Sequence, residues 1–531
     1  MKQAADFLSH AKKLGSLTLV TGLLGFVREF LIAYKFGATY GTDSYYVGLA
    51  IPSFLYGVLF GSALNFSVVP RVASLMGSNP DAGRKIFAGF LSVAMLFGAG
   101  ASLLVFAFAP ELVRVFAPGV ASSHLAIQFA RSLSPLLFLF VAAFSLGSFQ
   151  CARNRTPYWG LIRFTQNVFV VVSLLLLAKY WGLEVLVVGT IGGAFLSLLV
   201  QAYFARSAGF NESWAFPRRG AEGLSIVYSM LPFALAFGIG GEAGPSEANL
   251  FLVRYFASRL DPGSITLLAL GNKLIGLPVL LVGGAAGLAL LPGVSVAVGQ
   301  GDNKEAAAML IRALSYSLLA ICPVFVLNLD QGGAIAQVFG RGALTTHQVV
   351  ALGSILRAYS AAAVGLTLVY VLGSSVAALR RPFILIISGI ITVSVNALLM
   401  TVLSNRDGAR GIALAISIGS FLYCSLLSLP LIKTFGGPWV AEMARKLTLI
   451  FGGGLAMHLV LRSAVHLNVL SNWWWGSMFI PPLAGLAAYG AWLALCRRGL
   501  GLAAVQAAYR QGETARVRAP LRELRLEDKQ S

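Results

Sequence analysis

Long apolar segments separated by short polar connections follow one another along most of the chain. A helix needs about 20 residues to cross ~30 Å of hydrocarbon, and most of these segments reach that length. The pattern predicts an all-α polytopic membrane protein with about fourteen transmembrane helices. The predicted spans are 14–36, 44–70, 86–109, 130–151, 159–180, 184–205, 223–241, 264–298, 306–328, 348–377, 382–403, 410–432, 446–464 and 474–496. The stretch 242–263 fits either a broken extension of the seventh span or a surface helix.

The basic residues between the spans predict how the chain is inserted. With the N-terminus inside, the inner segments carry Lys2, Lys12, Lys13, Arg71, Arg84, Lys85, Arg153, Arg155, Arg218, Arg219, Lys304, Arg380, Arg381, Lys433, Arg445, Lys446, Arg497 and Arg498. The outer segments carry fewer, mainly Arg114, Arg131, Lys179, Arg254, Arg259, Arg341, Arg406 and Arg410. This asymmetry follows the positive-inside rule and predicts that both termini are cytoplasmic, which requires an even number of spans.

The chain also repeats itself. Pro52, Val115 and Pro157 recur as Pro278, Val338 and Pro382, at offsets of 278−52 = 226, 338−115 = 223 and 382−157 = 225. Six spans separate the copies, so the halves run parallel about an axis along the membrane normal, as in transporters. The predicted domains are an N-terminal six-helix lobe (1–222), a C-terminal six-helix lobe (223–440), two additional transmembrane helices (441–498) and a cytoplasmic basic tail (499–531).

The composition agrees with a membrane protein and disfavours several other functions. The chain is 57% hydrophobic and 11% charged, with a mean hydropathy of +0.79, whereas soluble domains have about 25% charged residues. Much of the net charge of +20 lies in short loops, so anionic lipid headgroups rather than nucleic acid are the expected counterpart. Without a Cys/His cluster, paired-carboxylate motif or phosphate-binding loop, we expect no metal, no cofactor and no enzyme activity.

Ionisable residues within apolar spans are the candidates for function, because a charge there costs at least ~2.5 kcal/mol. The candidates for binding a substrate are Arg28, Glu29, Asp43, Lys273 and Arg357. Arg28 can pair with Glu29 or Asp43, or it can line a cavity. Lys273 can line a cavity or snorkel, and Arg357 can lie near the outer interface. Asp43 can serve as a helix-start residue, a salt-bridge residue or a proton carrier.

A cavity with cations at its centre would favour an anion such as phosphate or diphosphate. A cation exporter would carry carboxylates there instead. Arg28 and Lys273 are interpreted as marking homologous helices of the two halves, facing one such cavity. Arg163, near the inner end of the fifth span, is interpreted as a snorkelling anchor.

The run TGLLGFVREFLIAYKFGATYGTDSYYVGLAIPSFLYGVLFGSALNFSVVP resembles the opening of the MurJ/MviN family, lipid II flippases of the MOP (multidrug/oligosaccharidyl-lipid/polysaccharide) exporter superfamily. The matching positions are Gly25, Phe26, Arg28, Phe36, Gly37, Thr42, Asp43, Pro52 and Pro70. FASRLDPGSITLLALGNKLIGLP and LRAYSAAAVGL continue the resemblance, which covers nearly the whole chain, including two extra C-terminal spans.

The resemblance implies two six-helix lobes around a hydrated cationic cavity, through which a diphosphate-sugar headgroup crosses by alternating access. The last two helices would line a groove for the polyprenyl tail. Arg28 and Lys273 would be cavity cations, and Asp43 would be the family's acidic residue before the second helix. The sequence departs from the family at Gly22 and Tyr56, where basic residues are usual, which suggests a different headgroup. Some family members bind sodium through a carboxylate in the eleventh helix. Here that helix contains Ser394 and Asn396 but no carboxylate, which argues against sodium coupling.

The residues and the resemblance together predict a flippase in the bacterial inner membrane for a polyprenyl-diphosphate-linked saccharide. The cargo would be a lipid II-like peptidoglycan precursor or an exopolysaccharide repeat unit. Membrane lipids are expected partners, and cell-wall or polysaccharide assembly proteins are further candidates. The alternatives are a MATE-like small-molecule antiporter, a membrane glycosyltransferase and a non-transporting membrane scaffold.

Overall fold

The structure is a computed structural model of the 531-residue chain. It describes residues 2–61, 63–120, 123–211, 224–230, 246–379, 381–436, 438–466 and 474–496. Within these ranges every regular element is a helix, which confirms the predicted all-α class.

The first half of the chain forms a lobe of long helices joined by short turns. Its described helices are α1 (Lys2–Phe36), α2 (Tyr40–Tyr56), α3 (Val69–Ser78), α4 (Pro80–Ala107), α5 (Ala109–Phe116), α6 (His124–Leu133), α7 (Pro135–Ala152), α8 (Thr156–Trp181) and α9 (Glu184–Ser207). Two π-helical segments, Gly57–Gly61 and Leu64–Val68, follow α2, and a 3-10 turn, Pro118–Val120, follows α5. Proline lies in the first turn of α4, α5, α7 and α8, where the missing N–H has no helical partner to lose.

The second half forms the other lobe and the added C-terminal pair. Residues 224–230 are helical, and the following helices are α10 (Glu247–Ala257), α11 (Ser264–Val279), α12 (Ala285–Gly299), α13 (Asn303–Phe339), α14 (Thr346–Ala378), α15 (Pro382–Phe435), α16 (Pro438–His466) and α17 (Trp474–Cys496). A π-helical segment, Leu280–Gly284, joins α11 to α12. Helix α16 lies along α13, and α17 packs against α16, so the added pair is attached to the second lobe.

The two halves carry the same backbone irregularity. A π-helical segment follows Pro52 of α2 and another follows Pro278 of α11, and the segments begin 280−57 = 223 residues apart. A proline inside a helix disturbs the hydrogen-bond ladder because it has no N–H to donate. The shared irregularity supports the sequence repeat and makes α11 the counterpart of α2. The interpretation that Arg28 and Lys273 mark homologous helices is therefore wrong, since Arg28 lies on α1 and Lys273 on α11.

The predicted spans agree with the helices wherever the structure describes them. Eleven helices in the described ranges are long and apolar enough to cross a membrane. One of them, Phe383–Phe435, contains two predicted spans, because the backbone of α15 breaks at Gly408 with φ 56°. A shorter apolar helix, Ile480–Cys496, covers most of the last span. The seventh predicted span, 223–241, lies largely outside the described residues, so the count of fourteen stays a prediction.

Helix α10 decides between the two interpretations of the stretch 242–263. The Oγ of Ser246 caps the helix by accepting the N–H of Asn249 at 3.2 Å. The Phe251 ring packs on Phe54 of the first lobe, with ring centroids 5.7 Å apart. Asn396 of the second lobe donates to Asn249 at 2.8 Å. Helix α10 is therefore wedged between the lobes and is not a surface helix.

Large apolar side chains cover the outer faces of the lobes. Leu103 and Leu288 are each 70% exposed, and Leu495 is 82% exposed. Residues of this kind are stable at such positions only when hydrocarbon surrounds them, because a soluble surface rarely exposes long apolar faces. The outer surface is therefore the surface of a multi-pass membrane protein.

Candidate functional site

A charged pair lies where α1 meets α2 and α8. Arg28 donates to Glu29 Oε1 through Nε at 3.2 Å and through Nη2 at 2.5 Å, and its Nη1 donates to Asn167 Oδ1 at 3.1 Å. The Tyr46 hydroxyl donates to the other Glu29 oxygen. The Arg28 and Glu29 side chains are only 17% and 6% exposed. Such ions are stable in a membrane interior because each is paired and hydrogen-bonded.

Lys273 approaches this pair from the second lobe. A Cβ added at Gly25 would lie 3.3 Å from Lys273 Nζ and 3.4 Å from Asn167 Nδ2. The absence of a side chain at Gly25 therefore leaves room for the Lys273 ammonium beside the Arg28 pair. Glu29 interacts electrostatically with both Arg28 and Lys273. The structure thus brings three of the predicted site residues together, the adjacent Arg28 and Glu29 of α1 in the first lobe and Lys273 in the second.

Three further ionisable residues extend this group. The Arg163 guanidinium lies 5.7 Å from the centroid of the Phe144 ring, and its charge interacts with Lys273 and Glu247. Arg254 interacts with the charges of Glu247 and Glu29. We call these residues the charge cluster: Arg28, Glu29, Arg163, Glu247, Arg254 and Lys273. Four cations and two carboxylates give it a net formal charge of 4 − 2 = +2.

The sequence analysis did not place two of the cluster cations, Arg163 and Arg254, among the candidates for binding a substrate. The Arg163 guanidinium lies over the buried Phe144 ring, and the residue is exposed, so the interpretation of Arg163 as a snorkelling anchor stays a prediction. Its spacing of four residues from Asn167 on α8 was the available indication of its place in the cluster, since residues at i and i+4 share a helix face. Arg254, counted among the outer connections, interacts with the cluster from α10. Its role depends on the placement of α10 between the lobes.

Asp43 makes a hydrogen-bonded latch between the lobes and does not pair with Arg28. Its Oδ2 accepts the N–H of Gly263 at 2.7 Å, and its Oδ1 accepts the N–H and the hydroxyl of Thr266 at 2.8 and 2.6 Å. The carboxylate therefore caps the start of α11, where the helix dipole favours a negative charge. The pairing of Asp43 with Arg28 that the sequence left open is not formed in this structure.

Further hydrogen bonds close the lobes at the same end. The N–H of Ala343 donates to the Tyr34 carbonyl at 2.8 Å, and Gln348 Nε2 donates to the Ala38 carbonyl at 2.6 Å. Because these bonds join α1 and its following turn to the start of α14 and the turn before it, they add to the Asp43 latch. The end of the molecule that contains the turn between α1 and α2 is therefore closed.

Gly263 is a position where the latch requires glycine. Its φ is +95°, and a Cβ there would overlap the Ala38 carbonyl oxygen. We expect Gly263→Ala to lower stability more than Gly209→Ala, a control with a similar φ of +91° and open space around it. The control bears only the backbone strain of about 1–2 kcal/mol, whereas Gly263→Ala adds about 1–3 kcal/mol of overlap. Thermal midpoints of the purified variants in detergent measure the difference, and equal losses would contradict it.

Like Asp43, Arg357 is a candidate that the described contacts do not bring to the cluster. Its side chain is exposed and lies against α13, where a Cβ added at Gly333 would be 3.2 Å from Arg357 Nη2. Its assignment to the headgroup site remains a prediction.

The two residues that depart from the family pattern, Gly22 and Tyr56, pack closely against neighbouring apolar side chains. A Cβ at Gly22 would lie 2.7 Å from Leu277 Cδ1, so α1 and α11 approach closely there. The buried Tyr56 ring packs on Phe144 and Phe140, with centroids 4.8 and 5.7 Å apart.

Among the described residues, no group of three or more His, Cys, Asp or Glu side chains is arranged to hold a metal ion.

Two helical lobes that are hydrogen-bonded together at one end, with a charge cluster between them, are the architecture of a polytopic membrane transporter. The family profile described as "Lipid II flippase MurJ" matches residues 32–483. The chain therefore belongs to the MurJ lipid II flippase family, which confirms the resemblance seen in the sequence.

Curated relatives and solved structures agree with this assignment. The chain is 26% identical to the lipid II flippase MurJ of Burkholderia cenocepacia over 505 residues, covering 90% of this chain and 93% of the relative. It is 25% identical to a probable lipid II flippase MurJ of Rhizobium tropici, covering 85% and 86%. A solved lipid II flippase MurJ in an inward closed conformation has the same fold, with a TM-score of 0.75, 21% identity, and 92% and 99% coverage. An inward-facing MATE family transporter of the MOP superfamily shares it at a TM-score of 0.60 and 14% identity, covering 81% and 96%.

Proposed function

We propose that this chain is a flippase that carries a polyprenyl-diphosphate-linked saccharide across the bacterial inner membrane by alternating access. The observation that carries the proposal is the charge cluster between the lobes, with its net formal charge of +2 and with Arg28 and Glu29 side chains that are only 17% and 6% exposed. An uncompensated positive charge is costly inside a membrane protein and is expected to serve an anionic ligand. The relatives of this chain carry the name lipid II flippase, and lipid II is a cargo of this chemical class.

Arg28 and Lys273 are the proposed diphosphate ligands. Two N–H groups of the Arg28 guanidinium, at Nε and Nη2, both donate to the same carboxylate oxygen of Glu29. A phosphate oxygen can replace that oxygen, because the guanidinium fork matches phosphate as well as carboxylate. Lys273 would add a point charge from the other lobe. A headgroup held by both residues would bridge the lobes, so its binding would be sensitive to their separation.

The Asp43 latch supports alternating access. If both termini are cytoplasmic, α1 runs outward and the latched end of the molecule faces outward. The cargo would then enter from the inner side while the latch holds, and leave after the bonds from Asp43 to Gly263 and Thr266 break. A site that bridges two lobes and a set of polar contacts that closes one end are the two parts that this mechanism requires.

Lipid II is the favoured cargo within this class. Gly22 and Tyr56 lack the basic residues usual in the family, which argued for another headgroup. Arg163 and Arg254 bring two further cations to the same cluster from other helices. The total positive charge therefore supports a diphosphate-linked headgroup of the usual kind, and cell-wall assembly proteins are the partners that we propose.

The cluster disfavours the rival functions. A MATE-like exporter of cationic compounds would carry an excess of carboxylates, whereas cations outnumber carboxylates here by four to two. A non-transporting scaffold would have no use for charges buried away from its surface, since an apolar interior is more stable than an unbalanced ionic one. An enzyme is not proposed, because the family is one of transporters.

The test of the proposal is rescue of a bacterium depleted of its own lipid II flippase. We expect the chain, expressed from a plasmid and confirmed in the membrane fraction by a C-terminal tag, to restore growth and cell shape. Rescue would assign the peptidoglycan precursor. Failure at normal expression, with restored polymer in a strain that lacks an exopolysaccharide flippase, would assign a repeat unit. Failure in both strains would overturn the proposed function.

A further inference from the structure

A short motif follows the third span of each half of the chain. It reads VFAPG at residues 115–119 and VFGRG at residues 338–342, an offset of 338−115 = 223. The helix ends that these motifs meet are related in the same way. Tyr34 lies in the last turn of α1 and Ser258 directly follows α10, at an offset of 258−34 = 224. The motif and its contact partner are therefore both duplicated.

The last glycine of each motif contacts the helix end of the other lobe. A Cβ added at Gly119 would overlap the Ser258 carbonyl oxygen, and a Cβ added at Gly342 would lie 2.5 Å from the Tyr34 carbonyl oxygen. The Gly119 N–H donates to Ser258 Oγ at 3.2 Å, and the N–H of Ala343 donates to the Tyr34 carbonyl at 2.8 Å. We call these two contacts the clasps: Gly119 on Ser258, and Gly342 on Tyr34.

The phenylalanine of each motif strengthens its clasp. Phe116 packs on Phe251 of α10, and Phe339 packs on Phe30 of α1, with ring centroids 4.9 and 5.3 Å apart. Phe116 and Phe339 are only 5% and 2% exposed. Each lobe therefore gives the other the same kind of contact, as the two partners do across a two-fold axis. Two contacts on opposite sides of an axis restrain the lobes against tilting in either direction, which one contact cannot do.

Neither clasp glycine is required by its own backbone. Gly119 and Gly342 have φ values outside the left-handed region, unlike Gly263, so alanine can adopt their conformations. For both positions, the three atoms nearest to an added Cβ belong to the other lobe. A side chain there would therefore conflict with the closed arrangement of the lobes, and the conflict would disappear when the lobes separate.

We propose that the clasps are paired gate contacts at the latched end, and that Gly119 and Gly342 set how closely the lobes meet when this gate is closed. The inference rests on the alternating access proposed above. The Asp43 latch attracts the second lobe through its charge, whereas the clasps depend on the absence of a side chain. Because both clasps join one lobe to the other, one separation of the lobes breaks them together.

The test is a distance across the gate, measured between spin labels on Lys179→Cys and Arg406→Cys. Both positions are exposed, one in each lobe, and the chain's own partly exposed cysteines are replaced by serine. In lipid nanodiscs, we expect Gly119→Ala and Gly342→Ala each to lower the ratio of closed to open molecules by about 5- to 150-fold. The mean distance should lengthen, and the double variant should shift further than either single one. An unchanged distance in the folded variants would overturn the proposal.

A glycine packed within one lobe provides the matched control. A Cβ added at Gly193 of α9 would lie 2.9 Å from the Gln166 carbonyl oxygen of α8. Gly193→Ala therefore introduces the same kind of overlap, but both partners belong to the first lobe. We expect it to lower the thermal midpoint and to leave the distance across the gate unchanged. An equal lengthening in this control would show that any loss of stability opens the lobes, and it would overturn the special role of the clasps.

Hydrogen exchange in the unchanged protein covers the case in which the alanine variants do not fold. One movement releases the N–H of Gly119 and the N–H of Ala343, so we expect their protection factors to agree within about tenfold. A larger difference would show two turns that fray independently and would overturn the shared gate. Both measurements are made without cargo. Failed rescue of a flippase-depleted strain would therefore contradict the proposed function without changing these results, and rescue with an unchanged distance would contradict the gate alone.

Discussion

An Arg28→Ala variant should insert into the membrane and fail to move its cargo. Removing the guanidinium removes the fork that we propose for the diphosphate, and each hydrogen bond to a charged group contributes about 1.5–3 kcal/mol. The affinity for the headgroup should fall by at least ~10- to 100-fold per lost bond. Arg28→Lys should also be impaired, because lysine keeps the charge but loses the fork. Rescue of a flippase-depleted strain, with membrane levels of each variant measured in parallel, tests the prediction.

A matched set of variants separates transport from folding in this experiment. Arg28→Ala leaves Glu29 buried without its partner, which alone can cost about 3–5 kcal/mol. The double variant Arg28→Ala/Glu29→Ala removes both charges, so we expect it to recover stability but not transport. Arg312→Ala, an exposed arginine of α13 whose ion pair with Glu305 spans 3.6 Å, is the control and should behave as wild type. Transport by a well-expressed Arg28→Ala variant would overturn the role of Arg28.

An Asp43→Asn variant should shift the molecule toward a state that is open at the latched end. The amide has nearly the same shape, but it loses the charge that caps α11 and binds Thr266 and Gly263. A loss of about 1.5–3 kcal/mol would change the ratio of closed to open molecules by about 10- to 100-fold. Spin labels at the exposed positions Arg114 and His347, one in each lobe, should report a longer mean distance.

Two further variants serve as controls for Asp43→Asn: the same Asp→Asn change within one lobe, and a change that removes only part of the latch. Asp81→Asn changes an exposed aspartate in the first turn of α4 that pairs with Arg84 within one lobe, and it should leave the distance unchanged. Thr266→Val removes the hydroxyl but keeps the backbone N–H donor, so its shift should be intermediate. An unchanged distance in Asp43→Asn would show that the bonds of Tyr34 and Ala38 to the second lobe suffice to hold this end closed.

The latch and the charge cluster explain why the two lobes can be coupled. Arg28 and Asp43 lie on consecutive helices of the first lobe. Lys273, which lies near the Arg28 pair, and Thr266, which is bonded to Asp43, both lie on α11 of the second lobe. One rigid helix therefore carries both a proposed headgroup ligand and the latch. Movement of α11 changes the separation of Arg28 and Lys273 and the bonds of Asp43 together. This gives alternating access a simple physical basis.

The sequence by itself determined the helical membrane class and the family, along with most of the spans. Hydrocarbon requires every backbone N–H and C=O to be paired within the segment, so a long apolar run has few alternatives to a helix. A charge in such a run is costly, and this cost likewise identified Arg28, Asp43 and Lys273 as candidate functional residues. These are local properties, and they can be read without knowing which helices are neighbours.

Only the tertiary structure decided which of these charges meet. The bond from Thr266 to Asp43 joins residues 223 apart, the bond from Arg28 to Asn167 spans 139, and the contact of His458 with Asp330 spans 128. The sequence offered Asp43 as a partner for Arg28, whereas packing placed it on the start of α11. Partner choice over such distances depends on helix packing, where small residues such as Gly25 and Gly263 allow close approach. No local pattern records that packing, because it is decided by the whole bundle at once.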